Sequence, residues 1–361
     1  MIVFPLFAIG VLSFMSDKPF DFRLINGLQG DPAVFVLLKR MGEALLFDLG
    51  VIENLGHRDM LRVRHVFVSH AHMDHFVGFD RLLRVNVPHR RQLTLFGPED
   101  FIERVRCKLN SYTWNLIDPD QIRFHVYEVR GDGSVWTASL TNTDKFSAPA
   151  TRTDLKHHHL VTLRDGSQVA AALMDHKGIP SVSYKLEAPA ILKVRTEKLK
   201  ALQLKAGPWL GDLQYRVRTG QAEGTIEADG RMFPIDELAA EIITQQRGRS
   251  LVYLTDLSFS ARNLEALRKA FGQASDGISE SSFADEDRSR AVDKAHLTSR
   301  QSALIARSLG IQHFHVFHVS GIYGQGPQQV AEEARNFFHS LPGPGPELDQ
   351  EIQIELSRVL S

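Results

Sequence analysis

Residues 65–78 read HVFVSHAHMDHFVG, and this stretch constrains the fold of the chain more than any other. Val66, Phe67 and Val68 form a short apolar run of the β-branched and aromatic kind that fills a buried strand, and the run stops at Ser69. His70, His72, Asp74 and His75 follow at once, on the loop that leaves the strand. Imidazole nitrogens and a carboxylate suit Zn²⁺ and its borderline neighbours. An extended segment turning into a helix aims alternate side chains at one point and the next pair at another, so H-x-H-x-D-H can serve two adjacent ions. A single histidine has ordinary uses on a surface or in a core. Neither capping, packing nor solvation asks for this grouping.

H-x-H-x-D-H after a short apolar strand resembles the signature of the metallo-β-lactamase fold superfamily. Its members are mostly hydrolases, so the motif speaks for scaffold and metal chemistry and leaves the substrate open. Later stretches resemble one branch of it, ribonuclease Z, the tRNA 3′-end-processing endonuclease. The strand over 93–96 closes on Gly97-Pro98-Glu99, as in that family. Asp175-His176 followed by Pro180-Ser181-Val182-Ser183-Tyr184 resembles its D-H and P-S-x-G-Y segment, with Ser183 in the glycine position. Thr255-Asp256, at the end of a buried strand over 251–254, stands where the family has G-D-T; Leu257 replaces the threonine, and Ser258 or Ser260 is the expected substitute hydroxyl. Glu280-Ser281-Ser282-Phe283 resembles E-A-T-F, His296-Leu297-Thr298 resembles H-S-T, and His318-Val319-Ser320 resembles H-F-S or H-I-S. The family commonly places an arginine ahead of the next tyrosine, where this chain reads Gly321-Ile322-Tyr323.

The resemblance implies a mixed α/β (α+β) architecture, an αββα four-layer sandwich with an inserted arm. It implies that His70, His72 and His176 hold one ion, that Asp74, His75 and His318 hold another, and that Asp256 bridges them. Two Zn²⁺ are the expected cofactors, with Mn²⁺ or Fe²⁺ as substitutes. Asp48, in L-L-F-D-x-G, supports the site from behind or caps a turn. The same resemblance implies that Asp74 would take a proton from the attacking water and that His296 would protonate the departing 3′ oxygen. The implied substrate is an RNA, a tRNA precursor above all, or another phosphodiester. A small-substrate phosphodiesterase or other ester hydrolase, and a non-catalytic RNA-binding scaffold, are the rival readings.

Composition sets the remaining bounds. Lys plus Arg number 42 against 43 Asp plus Glu, so no global basic field announces nucleic acid and a polyanion must be met by a local patch. Residues 191–213 supply one: Lys193, Arg195, Lys198, Lys200 and Lys205 face only Glu197 ahead of Gly207-Pro208-Trp209-Leu210-Gly211-Asp212-Leu213. That last run resembles the G-P-x-x-G-x-L motif of the family's tRNA-gripping arm, which makes Lys198, Lys200, Gly207 and Pro208 substrate-binding candidates. The family is usually dimeric, so a homodimer is expected. Cys107 is the only cysteine, which fits a reducing, cytoplasmic setting and a buried thiol.

The expected organisation is an apolar extension over 1–20 with Met15 as an alternative start, a single domain over 21–340 with the arm at about 190–215, and a peripheral tail over 341–361. The apolar start is too short to span a bilayer comfortably and lacks the marks of a secretory signal, so no membrane association is expected. His157-His158-His159 is read as a structural or surface feature, because neighbouring residues on a strand point to opposite faces.

Overall fold

The computed structural model describes residues 18–221 and 223–360, so the expected extension, Met15 included, lies almost wholly outside the described residues. Two sheets dominate. The first has eight strands in chain order: Phe20–Leu24, Val34–Leu38, Glu43–Phe47, Val63–Phe67, Gln92–Pro98, Arg123–Val129, Ser134–Thr141 and Thr151–Lys156. The second has six, ordered His313–Phe317, Asp276–Glu280, Ser250–Leu254, Ile179–Glu187, Gln168–His176 and Val161–Thr162.

Aromatic residues at alternate strand positions close the space between the sheets. Phe47 and Phe67 from the first meet Tyr184 and Tyr253 from the second, with Phe47 stacked 5.5 Å from Tyr253 and Phe67 edge-on to Tyr184 at 5.3 Å. Helices Phe79–Asn86 and Phe101–Asn110 cover the outer face of the first sheet. Ala261–Phe271, Ser299–Ser308 and Pro346–Leu360 cover the second. The αββα layering is therefore present.

Parallel pairing decides where function can sit. Glu43–Phe47, Val63–Phe67 and Gln92–Pro98 run parallel in one sheet, and Ser250–Leu254, Asp276–Glu280 and His313–Phe317 in the other. Their carboxyl ends bring Asp48, the 69–75 loop, Asp256, Glu280 and His318 to a common rim, where side chains are free to meet a ligand.

Several expectations need correction. The excursion drawn at 190–215 extends to 246, because strand Ile191–Val194 pairs with Ile243–Gln246 and encloses a small core of its own around Leu213, Ile235 and Ile242. The closing strand lies far along the sequence, past a hairpin and a helix that read locally as separate elements. The 341–361 segment is no peripheral tail: it forms helix Pro346–Leu360, which buries Leu348, Ile352 and Glu355. Its Pro/Gly-rich approach marks a turn back onto the sheet. His157 and His158 lie on a turn, not a strand; His157 Nδ1 is 3.2 Å from the Gly133 carbonyl and His159 Nε2 is 3.1 Å from Thr162 Oγ1. Cys107 is exposed, on the outer side of helix Phe101–Asn110. No helix among the described residues is long and apolar enough to cross a membrane.

Leu348 is fully buried, so Leu348→Ala is expected to lower unfolding free energy by about 3 kcal/mol, measured by urea denaturation. A peripheral residue would change it by under about 0.5 kcal/mol.

Candidate metal centre

Backbone contacts fix the histidine loop before any side chain is considered. Leu49 N donates to the His75 carbonyl at 2.9 Å and Gly78 N to the Leu49 carbonyl at 2.8 Å. A Cβ on Gly78 would sit 2.2 Å from the Gly50 carbonyl oxygen, so this close approach of two chains requires glycine. The second sheet grips the same loop: Val182 N donates to the Ser69 carbonyl at 2.9 Å and Tyr184 OH to the Val68 carbonyl at 2.7 Å. The short helix Met73–Phe76 starts after His72 and turns Asp74 and His75 away from the direction taken by His70 and His72.

Asp256 stands at the middle. Its Oδ2 lies 3.5 Å from His70 Nε2 and 3.7 Å from His176 Nε2, while its Oδ1 lies 3.5 Å from His75 Nε2 and 3.3 Å from His318 Nε2. One carboxylate thus offers one oxygen to each of two histidine pairs. His72 joins the first group and Asp74 the second, Asp74 Oδ2 being 3.4 Å from His75 Nε2 and 3.9 Å from His318 Nε2. Asp48, Asp256 and His318 all have positive φ, at 58°, 48° and 54°. Non-glycine residues there are strained, and the flanking strands hold them in place.

The residues present fit metal ions. His70 Nε2 and His75 Nε2 are buried and have no hydrogen-bond partner, although carboxylate oxygens stand just beyond hydrogen-bond range. Such orphaned buried nitrogens are costly unless something occupies the gap. Burial, reinforced by the charge of His75, pushes His70 down to about 2, so its ring is neutral as a metal ligand must be. Burial also works against charge on His75, but the carboxylates of Asp256 and Asp48 outweigh it and hold its pKa well above the usual imidazole range. For Asp256 burial opposes ionisation and is outweighed by His75 and His318, which hold the carboxyl well below its usual range. Asp74 is likewise brought down to about 2 by His75 and His318 against the effect of burial. The proton on His75 balances buried anionic charge, a task a metal cation at Nε2 performs equally well.

Asp48 is fully buried behind this cluster. Its Oδ1 accepts from Ser69 N at 2.6 Å; its Oδ2 accepts from Ser69 Oγ at 2.8 Å, His75 Nδ1 at 2.8 Å and Tyr253 OH at 2.6 Å. Pinning Nδ1–H turns Nε2 toward the centre. His176 is set the same way, its Nδ1 donating to the Ala295 carbonyl at 2.9 Å. His296 adjoins the cluster, with Nδ1 on Glu280 Oε2 at 2.7 Å and 4.0 Å from Asp256 Oδ1. Burial lowers its basicity, but Glu280 and Asp256 overcome that and raise it to about 9.

Sequence reasoning missed three residues here. Glu280 was read only as part of a matched segment, yet its buried carboxylate holds His296, Leu257 N and Ser282 Oγ. Tyr253 looked like an ordinary strand residue. Thr255 Oγ1 donates to Asp256 Oδ1 at 2.7 Å, the hydroxyl role expected of Ser258 or Ser260; Ser260 instead caps helix Ala261–Phe271. Only the carboxylate at a parallel strand's end gave Glu280 a readable signal.

The cluster opens into a cleft of about 700 Å³ lined by His72, Asp74, His176, Asp256, His296 and His318, among others. Lys198, Lys200, Gly207 and Pro208 do not line it; they sit on the excursion, where Lys198 Nζ pairs with Glu241 Oε1 at 2.7 Å. The acidic partner came from the helix beyond the hairpin.

No family model matches the chain. Among curated proteins it is 29% identical over 289 residues to a ribonuclease Z of Deinococcus radiodurans, covering 77% of this chain and 83% of that one. It is 26% identical over 333 residues to a ribonuclease Z of Gemmatimonas aurantiaca, covering 89% and 91%. Among solved structures, the metallo-β-lactamase fold protein YhfI of Bacillus subtilis superposes with a TM-score of 0.51 at 14% identity, over 91% of this chain and 98% of that one.

Because Asp48 orients His75, Asp48→Asn is expected to weaken metal retention by about 10–100-fold in competition with a chelator. Tyr253→Phe, which keeps the ring and removes one donor to Asp48, is expected to give a smaller loss. Equal retention in both variants and the parent would show that Asp48 merely caps a turn.

Proposed function

We propose, from a chain that has the metallo-β-lactamase fold and resembles ribonuclease Z over most of its length, that the protein is a metal-dependent phosphodiesterase that cleaves RNA, with tRNA 3′ ends as its substrate class. The observation that carries this reading is Asp256, whose two oxygens face two separate histidine pairs beside the Glu280–His296 dyad. His70, His72 and His176 would hold one ion, Asp74, His75 and His318 the second, and Asp256 both. Bound there, two divalent cations, zinc by ligand type, supply Lewis acidity that acidifies water and offsets phosphate charge.

The chain's own residues supply the proton transfers. Asp74 is ionised and faces the cleft, so its carboxylate accepts the proton of the attacking water. His296, with Nδ1–H fixed on Glu280, stays doubly protonated at neutral pH and delivers its Nε2 proton to the departing oxygen. The upstream RNA then leaves with a 3′-hydroxyl. The reading includes a homodimer and a cytoplasmic setting, which sedimentation and fractionation would test.

Incubating the purified chain with precursor tRNA and, in parallel, with bis(p-nitrophenyl) phosphate tests the proposal. Cleavage of both, abolished by EDTA and restored by Zn²⁺ or Mn²⁺, is expected. Hydrolysis of the small ester alone would favour a small-substrate phosphodiesterase, and activity on neither a binding scaffold.

Glu280→Gln removes the anion that raises His296, so the alkaline limb of the kcat profile should move to lower pH, since the imidazole then loses its donatable proton earlier. An alkaline limb unmoved in that variant would remove His296 from the role of acid.

A further inference from the structure

The cleft has one basic wall. Among its lining side chains, Arg290 and Lys294 supply the arginine and the lysine, and they lie one turn apart on helix Arg288–Lys294. Arg290 makes a loose, solvent-exposed ion pair with Asp287 at 3.7 Å that a phosphate can displace, and Lys294 enters no ion pair among the described residues. Asp293, between them on the helix, also lines the cleft, as do Gln29, Asp31, Ser320 and Ile322, and no other lysine or arginine among the described residues does.

The helix is a fixed platform. Arg288 Nε donates to the buried carboxylate of Glu355 at 2.9 Å, and Lys177 Nζ donates to the Asp293 carbonyl at 2.6 Å. The chain then passes directly to His296, whose N donates to the Ala291 carbonyl at 2.9 Å. The basic pair is thus held in register with the group placed at the leaving oxygen.

A small diester has one phosphate, which the centre itself would engage. Cations set off along the wall are useful only to a ligand that carries further phosphates. Resting on the phosphodiesterase reading above, we infer that Arg290 and Lys294 hold the phosphates next to the scissile one, so that the site takes a polynucleotide strand laid along helix Arg288–Lys294. This binding comes from the cleft wall and is separate from the excursion.

Fluorescence anisotropy of a labelled single-stranded RNA, titrated with the full chain between about 50 and 200 mM salt, tests the inference. Each phosphate neutralised on a single strand adds about 0.7 to the slope of log affinity against log salt, so Arg290→Ala with Lys294→Ala should flatten the slope by about 1.4 and weaken binding about ten-fold at low salt. Arg290→Lys with Lys294→Arg should keep the parent slope. Lys269→Ala, an exposed cation on helix Ala261–Phe271, serves as the control for charge removed elsewhere. An unchanged slope in the double alanine variant, equal flattening by Lys269→Ala, or no salt-dependent RNA binding by the parent overturns the inference. Loss of RNA and diester cleavage in the parent would instead sink the phosphodiesterase reading, and anisotropy reads the two separately.

Discussion

The structure turns on the burial of one carboxylate. Asp256 is almost completely enclosed, and an ionised group in such a place must be matched by positive charge or hydrogen bonds or else take up a proton. Histidines from the 69–75 loop, from the end of strand Gln168–His176 and from just past His313–Phe317 meet that demand together. They come from both sheets, so the pairing of the layers and the charge balance of the rim are one problem. Asp48 extends it inward: Tyr253 of the second sheet and Ser69 of the first both donate to it.

Backbone strain accompanies this arrangement. Asp48, Asp256 and His318 lie in the left-handed region just past the ends of their strands, a conformation that costs about 1–3 kcal/mol for each residue without glycine's freedom. The aromatic core between the sheets and the parallel ladders hold the strands firmly enough to impose it. The consequence is a sharp change of direction that turns each side chain back over the rim, where a continuing strand would send it out to one face of its sheet.

What could be read from the letters follows from how local each signal is. The His70–His75 cluster is contiguous, and the strands that end at Asp256 and His318 are short apolar runs with an evident stop, so these positions were legible. Glu280 and Tyr253 matter only through partners on other elements, Tyr253 reaching Asp48 across 205 positions, and no periodicity carries that information. The full extent of the excursion was hidden for the same reason, since Ile191–Val194 finds its partner at Ile243–Gln246. Cys107 misled because a sulfur side chain is usually buried, whereas its helix spends its inner face on Phe101, Ile102, Val105 and Leu109.

The C-terminal helix shows how a segment remote from the rim bears on it. Glu355 is fully buried and accepts from Arg288 at 2.9 Å and Gln301 at 3.0 Å, with Arg300 at 3.5 Å. A buried carboxylate without such partners would be strongly unfavourable, so the three residues and the helix Pro346–Leu360 order one another. Arg288 opens the helix that leads to His296, and Gln301 completes the capping box with Thr298 at the start of the helix that follows it. The loop carrying His296 is therefore clamped at both ends by one side chain from the last helix. A displacement of that helix would therefore disturb the placement of His296 against Glu280.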